Sequence, residues 1–311
     1  MKARLISRRE FLRAAGTAAG IAAAQGAVPL LYAAGEPSVP VSVVSGGSPG
    51  ENAKRAVAAL GGMGAFVSRG DVVVVKPNIG WDRTPEQAAT TNPEVVVAVA
   101  EMCLAAGART VRIFDRTCNE PRRCYASSGI QEAVERFAKK NGVDDALRVY
   151  QVEDRKFVRT AIPGALALKE WELYRDALEA DKIVNVPIAK NHTLSGVTLG
   201  LKNMMGVMGG NRGQIHFRLP ECLVDVNRRL PARLTVIDAS RVLVRNGPSG
   251  GNLSDVKAFG TVFASGDVVA ADALAAEKIF GLAGGSVPHI RKAMESGLGI
   301  ASTSQIRLTR A

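Results

Sequence analysis

The run Asp71-Val72-Val73-Val74-Val75-Lys76 constrains the fold of this 311-residue chain more than any other segment. Four consecutive β-branched residues without polar alternation suit a strand buried on both faces, as in a parallel sheet covered by helices on each side. Downstream, Asn92-Pro93-Glu94 opens a helix expected to run through Ala106, with Asn92 as its cap and Pro93 at its first position. A buried strand followed by a capped helix is the unit from which parallel sheets are built.

The alternation recurs along the chain. Residues 41–44 read as a strand, Gly46 to Gly50 as a turn and residues 51–60 as a helix; residues 110–114 form the next strand and end at Asp115. Ser127 or Ser128 is expected to cap a helix reaching Lys140 and stopping at Asn141-Gly142, and residues 147–152, 182–186, 234–237 and 261–264 supply further short strands. The expected architecture is α/β, a mainly parallel sheet with helices on both faces and Rossmann-like layering. Ligands in such folds bind at the carboxyl edge of the sheet.

The segment Asn185-Val186-Pro187-Ile188-Ala189-Lys190-Asn191-His192-Thr193 follows one of these strands. Residues two apart on extended chain point the same way, so Lys190 and His192 are expected to face the carboxyl edge together. A short helix then carries Lys202 and Asn203 into a Gly-rich stretch containing Gly206, Gly209, Gly210 and Gly213, whose amides are expected to meet an anion. In this reading Lys76, Asn78, Asn203 and the four glycines hold an anionic cofactor or substrate. His192 transfers a proton or binds metal, Lys190 and Lys202 stabilise negative charge, and Asp115 or Asp238, each ending a strand, orients one of them. The bland alternative makes His192 and His216 loop residues bonded to backbone and Asp115 a cap.

His192, His216, Cys118 and Cys124 are the candidate metal ligands. For the two cysteines three arrangements stay open: a disulfide formed in an oxidising compartment, paired thiolates on a metal or an external cluster, or two free thiols. Cys103 lies on the apolar stripe of its helix and reads as core. No CxxC pair or ferredoxin-like cysteine run occurs, so an intrinsic [4Fe–4S] motif is missing, and neither GxSxG nor HExxH is present to point to hydrolysis.

The amino terminus reads separately. Ser7-Arg8-Arg9-Glu10-Phe11-Leu12 matches the twin-arginine consensus, a weakly apolar Ala/Gly-rich run follows to Leu31, and Ala33 and Ala34 offer a cleavage site. Residues 1–34 are expected to be a signal peptide that sends a folded protein through the twin-arginine translocase to the periplasm, with a membrane tether if uncut. Residues 35–311 are expected to form one domain. The leader holds five Lys/Arg and one Glu, so its removal lowers the formal charge of +11 to about +7. That excess fits a solvated basic surface and a small anionic ligand; nucleic acid is not expected beyond the cytoplasm.

Several stretches together resemble the proteins containing the domain of unknown function 362. They are Val74-Val75-Lys76-Pro77-Asn78, Asn92-Pro93-Glu94-Val95-Val96, Ala180-Asp181-Lys182-Ile183-Val184-Asn185-Val186-Pro187, Lys190-Asn191-His192, Thr198-Leu199-Gly200-Leu201-Lys202-Asn203 and Ser265-Gly266-Asp267. The resemblance implies that family's α/β domain and an association with ferredoxin-like modules, here on a separate redox partner protein. The expected function is a cofactor- or metal-dependent, redox-linked enzyme, with a folded accessory or ligand-carrying protein as the alternative.

Overall fold

The computed structural model describes residues 38–309, so the twin-arginine stretch and its cleavage site lie outside the described residues. Strand β2 (Val72–Pro77) is buried along its whole length and pairs in parallel with β3 (Thr110–Ile113) on one side and β7 (Lys182–Val186) on the other. Its side chains feed two cores. Val73 and Val75 pack with helices α1 (Pro49–Ala58), α2 (Pro93–Ala105) and α4 (Ile130–Asn141), while Val74 packs with Phe114, Leu173, Met204 and Leu223 on the opposite face. Burial on both faces is what the unbroken valine run encodes.

Among the described residues the central sheet has ten strands. Its parallel part runs from β10 (Leu234–Leu243) through β7, β2 and β3 to β4 (Leu147–Val149) at the edge. Beyond β10 the direction changes: β11 (Val256–Ser265) is antiparallel to β10, β1 (Val39–Ser45) is antiparallel to β11, and β12 (Ile306–Thr309) closes this side in parallel with β1. The mainly parallel expectation holds for the centre, but β10 and β11 are each ten residues long, well beyond the short runs expected at 234–237 and 261–264. The extra length is a hairpin with a register shift between Ala239 and Arg241, in which each strand is held by its partner rather than by its own apolar pattern. A separate hairpin, β5 (Phe157–Ala161) with β6 (Glu170–Tyr174), was likewise not legible as strands.

Helix starts follow local capping chemistry. Asn92 accepts the Glu94 amide and Pro93 begins α2, as expected, while Ser48 and Glu51 form a reciprocal capping box at α1. Asp267 accepts the amides of Val269 and Ala270 at the start of α8 (Val268–Phe280). The region after Asp115 differs. Glu120 caps α3 (Pro121–Ser127), and α4 then starts after Gly129, which is left-handed, with the Ser128 hydroxyl accepting the Ile130 amide at 3.4 Å. The remaining helices are α5 (Arg175–Leu178), α6 (Gly200–Asn203), α7 (Leu219–Arg229) and α9 (Pro288–Glu295).

Candidate functional site

The polypeptide leaves β7 through Pro187 and continues as β8 (Ile188–His192), which pairs in parallel with β10 and antiparallel with β9 (Gly196–Thr198). The two-residue alternation places Lys190 and His192 in the lining of one cavity, with Thr198 opposite Lys190. Asn191 turns away and accepts the Gly247 amide at 3.1 Å. The cavity, about 670 Å³, lies where β2, β3 and β7 end, and its wall includes Asn78, Asp115, Lys202, Asn203 and the Gly206 to Gly213 stretch.

Helix α6 delivers Lys202 and Asn203. Its first amides, Gly200 and Leu201, donate to the buried Asp272 carboxylate at 2.7 and 2.8 Å. Burial pushes that carboxyl up to about 7, against the two amide bonds that favour its charge. Asn203 then ties the ends of β2 and β7 together: its amide donates to the Lys76 carbonyl at 3.0 Å and to Asn185 Oδ1 at 2.8 Å, and its oxygen accepts from Asn78 Nδ2 at 2.9 Å.

Three lysines reach this region in different states. Lys76, fully buried, forms an ion pair with Asp115 at 2.8 Å and also donates to the Pro77 carbonyl at 2.6 Å. Burial pushes it down while Asp115 opposes the shift, and the other Asp115 oxygen accepts the Ile79 amide at 2.6 Å. Lys190 donates to the Ala89 carbonyl at 2.5 Å and to Asn78 Oδ1 at 3.2 Å. Burial, then the nearby Lys202 and Lys76 charges, bring it down to about 7, with Cys118 and Asp115 pulling the other way. Lys202 has one polar partner among the described residues, the Met205 sulfur at 2.9 Å, and burial holds it at about 8. A thioether is a weak acceptor, so this amine is poorly satisfied.

His192 is nearly buried, and its Nδ1 accepts the Leu194 amide at 3.2 Å, which assigns the proton to Nε2. Burial first, then Lys202 and Lys190, push the ring down to about 3, so it is neutral at physiological pH. Its ring stacks on His216 with centroids 6.2 Å apart, and His216 Nδ1 bonds the Gly213 carbonyl at 3.1 Å.

Several expected roles are corrected by these positions. Lys76 is not poised over a ligand: it lies beneath the cavity as the counter-charge of Asp115, and Gly206 is there for contact, because a Cβ would fall 1.7 Å from Asp115 Oδ1. Asp238 is buried away from the cavity, accepting the Asn92 amide at 2.8 Å and the Ser240 amide at 2.9 Å, so it anchors the start of α2 and orients nothing in the site. Gly209 packs under Phe157, where a Cβ would meet the ring at 2.8 Å, and its amide goes to the Glu172 carbonyl. The Gly213 amide is taken by Asn211, so the loop is not a ready-made anion nest; Gly210 and Gly213 only line the wall.

The cysteines and the metal set are also revised. Cys118 and Cys124 are free thiols, not a disulfide: Cys118 is exposed on the cavity wall, while Cys124 is buried on α3 with its sulfur 3.9 Å from the Gly80 carbonyl. Among the described residues no group of three or more His, Cys, Asp or Glu converges as a metal site, and His192 and His216 face each other as stacked rings instead.

Two arginines were missed. Arg212 donates to the carbonyls of Arg116, Met205 and Thr117, and Arg116 donates to those of Met208 and Gly210 while lying over the Phe157 ring at 5.2 Å. Both line the cavity and stitch the Gly-rich loop to the loop after β3. The signal available was a basic residue embedded in each loop, Asp115-Arg116 and Asn211-Arg212-Gly213. Among the described residues Asp115 is the sole carboxylate in the lining and Lys76 neutralises it, so the wall is cationic overall.

Residues 73–277 match the family model described as "Domain of unknown function (DUF362)". The chain belongs to the DUF362 family. A thylakoid-associated protein of Synechocystis sp. is 29% identical over 223 residues, covering 68% of this DUF362 chain and 64% of its own length. Among solved structures, the lactate racemase apoprotein from Thermoanaerobacterium thermosaccharolyticum superposes with a TM-score of 0.43 at 12% identity, over 76% of this chain and 57% of that one. A structural-genomics protein from Thermotoga maritima gives a TM-score of 0.38 at 12% identity, over 70% and 54%.

Proposed function

We propose that this DUF362 protein is an exported enzyme that binds an anionic organic substrate or cofactor in the cavity at the carboxyl edge of its sheet. One observation carries the reading: among the described residues Lys202 is buried in the cavity wall with only a thioether against it, while the one acid in that wall, Asp115, is already paired with Lys76. Buried charge without a counter-charge is costly, and a bound carboxylate or phosphate supplies it. A cavity of about 670 Å³ is in the range of small organic ligands, roughly 300–1,000 Å³, and far larger than a bare ion needs.

The roles divide by environment. Lys202, closest to being an unsatisfied cation, takes the anionic group. Lys190 and His192, side by side on β8, face the remainder of the ligand, and neutral His192 offers its Nε2–H as a hydrogen-bond donor. The Ser7-Arg8-Arg9 motif supports export through the twin-arginine translocase, a route suited to a chain that acquires its ligand and folds before leaving the cytoplasm.

The test is purification of the native protein from the exported fraction, with identification of small molecules released on denaturation and melting curves with phosphate and with organic anions. Retained anionic ligand, or a melting point raised by such anions and insensitive to them in Lys202→Met, is the expected result. A stripped protein whose melting no anion alters sinks the cavity reading. Export is checked separately: Arg8→Lys with Arg9→Lys should trap the chain in the cytoplasm, and unimpaired export means the address was misread.

A further inference from the structure

Lys190 Nζ lies in the cavity wall against neutral oxygen acceptors, with no carboxylate beside it among the described residues to hold a proton there. A neutral amine keeps a lone pair that an ammonium lacks. Among the described residues Lys190 Nζ meets two acceptors, the Ala89 carbonyl at 2.5 Å and Asn78 Oδ1 at 3.2 Å, and no carboxylate. The two other lysines of the region are arranged otherwise. Lys76 has Asp115 as counter-ion, and Lys202 has only a thioether, so Lys202 gains most from a bound anion and Lys190 from staying neutral.

The groups around Lys190 are Asn78 from the end of β2, the Ala89 carbonyl from the loop before α2, Thr198 across on β9, Leu243 beside it on β10, His192 on its own strand and Lys202 from α6, with the Lys76 and Asp115 charges and the Cys118 thiol also acting on it. Burial first, and the Lys202 and Lys76 charges after it, disfavour a proton on Lys190 and bring it down to about 7. His192, with its proton on Nε2, stands two residues along the same face.

We infer that Lys190 is a nucleophilic amine that forms an imine with a carbonyl carbon of the bound anion, so the ligand class is an aldehyde or ketone bearing a carboxylate or a phosphate. The inference rests on the cavity reading above and adds the reacting group. In the step, the Nζ lone pair attacks the carbonyl carbon, the C=O π bond breaks, and a proton passes from nitrogen to oxygen to give the carbinolamine. Loss of the hydroxyl with the second N–H proton then releases water and leaves the C=N bond, with no oxidant or other reactant needed. Lys202 holds the anionic group, and the His192 Nε2–H bonds the carbonyl oxygen as its charge grows.

The experiment incubates the mature protein with pyruvate, with pyridoxal 5′-phosphate and with propanal as a neutral control, reduces each sample with borohydride, and maps adducts by peptide mass spectrometry. The expected result is a reduced adduct on Lys190 with an anionic carbonyl, roughly tenfold above both propanal and any exposed lysine. The preferred probe tells a carboxylate from a phosphate ligand. Lys190→Arg and Lys190→Met should lose the adduct while inorganic phosphate still raises their melting points, and Lys202→Met should lower its yield on Lys190. Melting raised by pyruvate or pyridoxal 5′-phosphate without a Lys190 adduct overturns the imine and leaves the anion site standing. Labelling that persists unchanged in Lys190→Met overturns the assignment to this lysine, and failure of every anion to bind removes both.

Discussion

Raising the pH from about 7 to about 8.5 should stabilise the ligand-free protein, and the size of the effect follows from two amines. Lys190 falls from an ordinary 10.5 to about 7 on folding, and Lys202 from 10.5 to about 8. Across this window the unfolded chain keeps both protonated while the folded chain releases them. The unfolded state therefore binds more protons and stability rises with pH, by about 1.6 kcal/mol from Lys190 and about 0.8 kcal/mol from Lys202. Other buried groups push the opposite way. The thiols of Cys103, Cys124 and Cys222 are pushed up to about 12, 11 and 11, and Asp272 is held at about 7, so each keeps a proton in the fold that the unfolded chain gives up earlier. These opposing groups are common to wild type and Lys190→Met, so comparing the two isolates the lysine. In urea unfolding followed by circular dichroism, wild type should gain about 1.6 kcal/mol on the variant over this range. Saturating phosphate should shrink that gain by holding the amines charged. Parallel stability curves, agreeing within about 0.5 kcal/mol, would refute a depressed Lys190.

Three further outcomes are expected. Lys76→Met leaves Asp115 buried without its counter-ion and should cost about 3–5 kcal/mol in urea unfolding, with strong coupling to Asp115→Asn in a double-mutant cycle; additive effects would mean the pair is not an ion pair. Gly206→Ala drives a Cβ into Asp115 Oδ1 and Lys76 Cε, so it should lower stability by about 1–3 kcal/mol or more and disturb the same pair; an unchanged melting point would show the contact is not close. Native alkylation should modify Cys118 quickly, with Cys103, Cys124 and Cys222 protected until denaturation, whereas two protected thiols joined in non-reduced mass spectra would restore the disulfide.

What was legible in the sequence was set by near neighbours along the chain. The unbroken valines of β2 encode burial on both faces, Asn92-Pro93 marks a helix start through a bond to the amide two residues on, and strand alternation alone brings Lys190 and His192 to one wall. Contacts between distant residues were not legible. The sequence offers Lys76, Asp115 and Asp238 as equivalent charged residues at strand ends, and only register and loop path decide that Lys76 takes Asp115 while Asp238 turns to the Asn92 amide. The same holds for the long β10–β11 hairpin, whose outer halves are polar enough to pass for loop until a partner strand satisfies their backbone. The sequence thus determined a parallel core and the edge where chemistry gathers. Tertiary structure decided which charges there are already neutralised, because counter-charge depends on what lies within about 4 Å in space, and chain position carries no such information across long loops.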